Sequence, residues 1–348
     1  MSEMRSQVTR LGAIAVERDE SDRTRPRNPI SLPGTGHPRQ RAAGMTIAVS
    51  SRRGDGVDGT RERDPFATGS WGCVNRGAVD DTAPDRIVAG RYRLSTLLGT
   101  GGMGAVWLAE DAVLRRAVAL KKLSYQERED RPSALQEARA AAHVTHPGVV
   151  RVHDVVLGVD EDWIVMEALP GEPLSTTIRE RGRLPVEEVT QIALQLLSAL
   201  QAIHDADLVH RDIKPSNVQV CGDGRVVITD FGLSSPRGVW GGLRDGNVAG
   251  SLSYMAPETL IGGIFGPPSD LYALGVTLYT AVEGHPPFDT GEPLSLVDSV
   301  LSAQPEPARH AGPLGPVLDG LLEKDPDRRM DAAHARERLE ATALVTTA

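Results

Sequence analysis

The chain has 348 residues, 40% of them hydrophobic, 24% charged and 4% aromatic, with a formal net charge of −9 at pH 7. Such a composition supports one large domain or two ordinary ones, with a core of Leu, Val, Ile and Ala rather than rings. The acidic balance argues against a nucleic-acid or anionic-membrane surface, and two cysteines, Cys73 and Cys221, exclude a multi-cysteine zinc site or a disulfide-stapled scaffold. Both are expected to be thiols. The longest apolar stretch, Ala273–Val282, is interrupted by Thr and too short to span a bilayer. The N-terminus is polar and lacks the apolar core of a signal peptide, so the expectation is a cytoplasmic chain without a membrane anchor.

Residues 1–86 show no period of 3.6 or 2 and are rich in Arg, Gly, Pro, Ser and Asp, without a single Lys. Such a stretch buries too little apolar surface to offset its ordering entropy, and a disordered tail is expected, with Met45 as an alternative initiator. From Gly90 the texture changes. RYRLSTLLGT (Arg91–Thr100) reads as a strand entering a glycine turn, GAVWLAED (Gly104–Asp111) as a strand leaving it, and AVALKKL (Ala117–Leu123) as a third. ALQEARAAAHV (Ala134–Val144) reads as a helix stopped by His146-Pro147, and DWIVMEAL (Asp162–Leu169) as another strand. A helix start follows at Leu184-Pro185, with Glu187 and Glu188 near the positive end of its dipole. Its apolar stripe is Val189, Ile192, Leu196, Leu197, Leu200 and Ile203. Strands first and helices afterwards predict two lobes.

The glycine turn carries G-x-G-x-x-G at Gly99, Gly101 and Gly104. In a dinucleotide-binding fold the third glycine opens a helix. Here Ala-Val-Trp-Leu follows, a β-like run, and the next strand brings Lys121. That order describes a hairpin over phosphates with a cation from the neighbouring strand. By period 2, Ala119 and Lys121 share a face, so a flat base fits against Ala119 while Lys121 reaches phosphates. The buried ammonium needs a partner, and Glu137 on the following helix is the candidate.

VHRDIKPSNVQ (Val209–Gln219) crowds Asp212, Lys214 and Asn217 onto a loop that Pro215 keeps from becoming helix. Asp212 can orient a hydroxyl and accept its proton, Lys214 can neutralise phosphoryl charge, and Asn217 offers a neutral oxygen to a hard cation. Asp230 follows in DFG, behind the apolar run VVIT, and forms with Asn217 a credible Mg²⁺ ligand pair.

From about Arg91 to Leu339 the chain resembles eukaryotic-type (Hanks-type) serine/threonine protein kinases of bacteria. GTGGMGAV, VALK, the helix Glu, HRDIKPSN, DFG and YMAPE (Tyr254–Glu258) stand in that family's order, followed by SDLYALG (Ser269–Gly275), EGHPPF (Glu283–Phe288) and KDPDRR (Lys324–Arg329). The resemblance implies an α+β, two-lobed fold with a small antiparallel-sheet N-lobe carrying one main helix and a larger, mostly helical C-lobe. It places the kinase domain at 87–341, the lobes at about 91–168 and 169–341, and a short tail at 342–348.

It further implies that Leu98, Gly99, Thr100, Gly101, Gly102, Met103, Gly104 and Val106 cover ATP, with Ala119 against the base. Lys121 would hold the phosphates and Glu137 would hold Lys121. Met166 would be the gatekeeper, with Glu167 and Leu169 offering backbone groups to adenine. Asp212 would be the catalytic base, Lys214 the γ-phosphate contact, and Asn217 and Asp230 the ligands of Mg²⁺, for which Mn²⁺ can stand in. Asp270 would brace the catalytic loop, Arg329 would pair with Glu258, and Ser251 would hydrogen-bond near Asp212 and Lys214.

The implied activity is transfer of the γ-phosphoryl group of ATP to Ser or Thr of protein substrates, including autophosphorylation within a homodimer. The alternative is a pseudokinase that binds nucleotide or partners. Two departures bear on this. The segment from Asp230 to Glu258 has no Thr, only Ser234, Ser235, Ser251, Ser253 and Tyr254, with Arg211 available to receive a phosphate. Gln219 also stands where the family places an apolar residue beneath adenine.

Overall fold

The computed structural model describes residues 85–101, 104–123, 131–158, 161–230, 252–262, 265–288 and 292–346. Six strands form one antiparallel sheet: β1 (Ile87–Val88), β2 (Tyr92–Gly101), β3 (Gly104–Asp111), β4 (Arg116–Lys122), β5 (Val152–Val156) and β6 (Trp163–Glu167), in the order β1-β2-β3-β4-β6-β5. Alternation decides what each face carries. Tyr92, Leu94, Trp107, Ala109, Val118, Leu120, Trp163 and Val165 close one apolar cluster. Ala119 and Met166 turn to the opposite face and join Leu98 and Val106 in another. Asp85 and Arg86, expected in the tail, are tied to the sheet: the Asp85 N–H donates to Leu94 O at 2.9 Å and Arg86 O accepts from Leu94 N–H at 2.8 Å.

Helix α1 (Arg131–Ala141) lies after β4 and buries Ala134, Ala138 and Ala141. It starts earlier than the pattern suggests because Pro132 occupies its first turn, where a missing N–H costs nothing. Its end tightens into i→i−3 turns, His143 N–H to Ala140 O and Val144 N–H to Ala141 O.

A second sheet of β7 (Gly171–Pro173), β8 (Val218–Cys221) and β9 (Val226–Ile228) lies against the helical part. That part comprises α2 (Leu174–Arg181), α3 (Val186–His204), α4 (Pro257–Gly262), α5 (Pro267–Glu283), α6 (Pro293–Ser302), α7 (Gly315–Leu321) and α8 (Ala332–Thr346). The expected stripe of α3 is buried in full. Helix α5 is buried from Ser269 through Val282, and at Gly275 an added Cβ would sit 2.8 Å from Leu321 Cβ, so glycine sets the close approach of α5 and α7. Helix α8 runs through Thr346, past the expected boundary at 341, because Thr342 is buried and bonded back to Arg338 O at 2.9 Å. The architecture is α+β: a small antiparallel-sheet lobe with one helix among the described residues and a larger helical lobe. No helix among the described residues is long and apolar enough to cross a membrane.

Candidate active site

The glycine stretch is the tip of the β2–β3 hairpin, with Gly99 opposite Val106, Thr100 opposite Ala105 and Gly101 opposite Gly104. Gly104 has φ +116°, a conformation glycine adopts without strain, and nothing lies within 4 Å of a Cβ built at Gly99. Gly102 and Met103 lie outside the described residues. Beneath the hairpin, Ala119 and Lys121 share a face of β4 as expected.

Lys121 is 2% exposed, and its Nζ lies 2.7 Å from Asp230 Oδ1. Burial pushes the Asp230 carboxyl up, but the Lys121 ammonium, through its charge and its hydrogen bond, together with the charge of Lys214, outweighs it and holds the group below its ordinary value. The expected Lys121–Glu137 pair is replaced: Glu137 Oε1 accepts from Arg211 Nη1 at 2.9 Å, and no ion pair joins Lys121 to Glu137 among the described residues. Glu137 is drawn to the cation of the catalytic loop while Asp230 takes the lysine. Burial raises the Glu137 carboxyl even though Arg211 pulls the other way.

The loop from His210 to Asn217 is held from below. Asp270, 1% exposed on α5, accepts the backbone N–H of His210 on Oδ2 and that of Arg211 on Oδ1, both at 2.8 Å, and His204 Nε2 lies 2.8 Å from Oδ2. These bonds hold Arg211 at φ +70°; Asp230, at φ +58°, is a second non-glycine residue in this strained region. The fully buried His210 donates from Nε2 to Thr229 O at 3.0 Å and accepts the Asp212 N–H on Nδ1 at 3.3 Å, which fixes a neutral ring. Burial lowers its pKa accordingly. Asp212 is then enclosed by partners. Lys214 Nζ lies 2.9 Å from Oδ1, and Asn217 Nδ2 donates to Oδ2 at 2.7 Å and to the Asp212 backbone O at 2.8 Å. Thr229 N–H donates to Asn217 O at 2.9 Å, joining this loop to the strand end before Asp230.

Arg329 makes the expected contact with Glu258, bidentate at 2.7 and 2.9 Å, and stacks 5.0 Å over Tyr272. Met166 and Glu167 end β6 and Leu169 lies two residues further on, with Met166 and Leu169 buried in the cluster of Ala119. Ser234, Ser235 and Ser251 lie outside the described residues, whereas Ser253 is buried. Cys221 is buried, and burial pushes its thiol up to about 11. A separate cavity of about 550 Å³, lined by Arg116, His146, Arg151, His153, Glu167 and Arg225 among others, holds none of Lys121, Asp212, Lys214, Asn217 and Asp230. The polar constellation, not cavity volume, marks the site.

The sequence reading missed His204 as a partner of Asp270 and Thr229 as the link between loop and strand. His204 ends α3, and a histidine in the last turn of a helix is too common to single out.

Residues 92–339 match the protein kinase domain. The chain belongs to the protein kinase family. Its relatives include the serine/threonine-protein kinase PknA of Mycobacterium tuberculosis, 39% identical over 229 residues, 63% of this chain and 53% of the relative. PksC of Streptomyces coelicolor is 37% identical over 267 residues (72% of this chain and 48% of the relative). PrkC of Bacillus subtilis is 34% identical over 260 residues, 72% of this chain and 40% of the relative. The chain thus spans about half the length, or less, of the curated relatives it matches. Within the protein kinase family, use of ATP and a divalent metal ion is general.

Proposed function

We propose that this chain is an ATP-dependent serine/threonine protein kinase, with residues 87–341 as its catalytic domain. The observation that carries the reading is the Asp212–Lys214–Asn217 cluster, with Asp230 held at Lys121 across the cleft. Two carboxylates, two ammonium groups and an amide oxygen in one cleft suit a phosphoryl donor and a hydroxyl acceptor.

Asp212 orients the Ser or Thr hydroxyl and takes its proton as the hydroxyl oxygen forms its bond to the γ-phosphorus and the bond to the β-phosphate oxygen breaks. Lys214, already at Asp212, neutralises charge on the moving phosphoryl group. Lys121 binds the non-transferred phosphates, and the backbone of Gly99–Gly104 covers them. Leu98, Val106, Ala119 and Met166 enclose the base. Asn217 and Asp230 would hold Mg²⁺; their oxygens suit a hard cation that takes few protein ligands and completes its shell with phosphate and water. The metal, when bound, supplies positive charge to the phosphate oxygens.

Transfer also requires Lys121 and Asp230 to part, so that each can meet its ligand. The natural receiver of Lys121 is Glu137, which must then leave Arg211. Protein substrates, autophosphorylation between two copies and a cytoplasmic location complete the proposal.

The test incubates purified chain with labelled ATP, Mg²⁺ and a generic basic protein, beside an Asp212→Asn control. Transfer by the wild type and a loss of about 10²-fold or more in the variant is expected. A wild type that binds ATP but transfers nothing would overturn the catalytic reading and leave a nucleotide-binding protein.

A further inference from the structure

Strand β8 forms one wall of the cleft, and its two faces differ. Val218 and Val220 pack into the core of the helical lobe. Cys221 instead belongs to the small apolar cluster of Ala119, Val150, Met166, Leu169 and Val227, against which Leu98 and Val106 of the glycine hairpin pack. Successive side chains of a strand point to opposite faces, so Gln219 lies on the Cys221 face. Its cross-strand partner is Val227, a member of that same cluster, and directly paired residues share a face. Two independent register relations therefore aim Gln219 into the cleft, toward Ala119 and the hairpin.

Gln219 is 8% exposed, and its Nε2 is buried with no hydrogen-bond partner among the described residues. A buried amide donor without an acceptor is costly, and a Leu or Met of similar volume would fill the position without that cost. The amide makes sense if its acceptor arrives with the ligand. The side chains gathered on that face are apolar, the small Ala119 with Leu98, Val106, Met166 and Leu169, which suits a planar heteroaromatic ring. On the nucleotide-binding reading above, on which this inference rests, that ring is the purine of ATP.

We propose that Gln219 reads the nucleobase: its Nε2–H donates a hydrogen bond to a ring nitrogen of the purine seated on this face. Gln219 is thus a contact and discriminating residue for the nucleotide, not a passive floor.

The experiment measures calorimetric binding of ATP and of its 1-deaza, 3-deaza and 7-deaza analogues to the full chain, as wild type, Gln219→Leu and Gln219→Met. One analogue should bind the wild type about two- to tenfold more weakly than ATP, the range of a single neutral hydrogen bond. That gap should close to about unity in both variants, with ATP still bound and a single cooperative melt retained. A merely structural role for Gln219 would change stability or overall affinity without moving these ratios. Ratios that stay the same in wild type and variants for every analogue would overturn the proposal while ATP binding stands. A wild type that binds neither ATP nor any analogue would overturn the nucleotide reading, and this inference with it. The flexible Met variant supplies the comparison if the Leu variant packs badly.

Discussion

Two charged clusters meet at this cleft, and they are built differently. Asp270 is enclosed, and its two oxygens hold two backbone N–H groups and a histidine ring. Glu137 and Arg211 meet side chain to side chain, each about a quarter exposed, in one 2.9 Å contact. Bonds to backbone leave a carboxylate nowhere else to go. A contact between two long side chains can be exchanged for another at little cost. Asp270 thus reads as a fixed brace, and the Glu137–Arg211 pair as a contact that one alternative partner can undo.

Removing the brace should have the largest effect. Asp270→Ala leaves the His210 and Arg211 N–H groups and the His204 ring without their acceptor in a dry site, and should cost about 2–5 kcal/mol of stability. Urea unfolding measures this, and phosphoryl transfer should fall with it because Asp212 follows directly on Arg211. Asp270→Asn keeps one acceptor oxygen and should recover part of both losses. A stable, active Asp270→Ala protein would mean that the loop holds its own shape.

Glu137→Gln probes the exchangeable contact. If Glu137 passes from Arg211 to Lys121 during transfer, kcat should fall by roughly 10- to 100-fold, the worth of a charge-assisted hydrogen bond. Stability should change by only about 1 kcal/mol or less. An unchanged kcat would show that the arrangement with Lys121 on Asp230 is itself competent, and the contrast between the two clusters would lose its functional meaning.

The brace was legible in the sequence and the exchange was not. Asp270 stands in a motif, SDLYALG, whose place in the chain implies its role, and Arg329 with Glu258 likewise. Hairpin register, the shared face of Ala119 and Lys121, and the stripe of α3 follow from periods 2 and 3.6, which are local properties. The partner of Glu137 depends on where α1 sits against the sheet. The fully buried described side chains of that helix are the small alanines Ala134, Ala138 and Ala141, with Leu135 half-buried against Leu123 and Ile164, a narrow stripe that marks a helix without fixing its depth. Gln219 was singled out by type, but its unpartnered amide emerged only from the packing around β8. The start of α1 at Arg131 could have been read from Pro132, a first-turn proline.

The smallest effect tests the exchangeable pair most directly, through its response to pH. Burial outweighs Arg211 and raises the Glu137 carboxyl above its ordinary 4.5. The folded state then holds this proton more tightly than the unfolded chain does. Stability from this group is present in full below about pH 4.5 and is lost as pH rises through the raised value. Thermal melts of wild type and Glu137→Gln across that window should therefore show the wild type losing stability relative to the variant as pH rises. A real clamp would do the opposite: if Arg211 outweighed burial, the wild type would gain on the variant over the same window. In that case Glu137 would be fastened to the catalytic loop much as Asp270 is, and an exchange with Lys121 would need a further input to drive it.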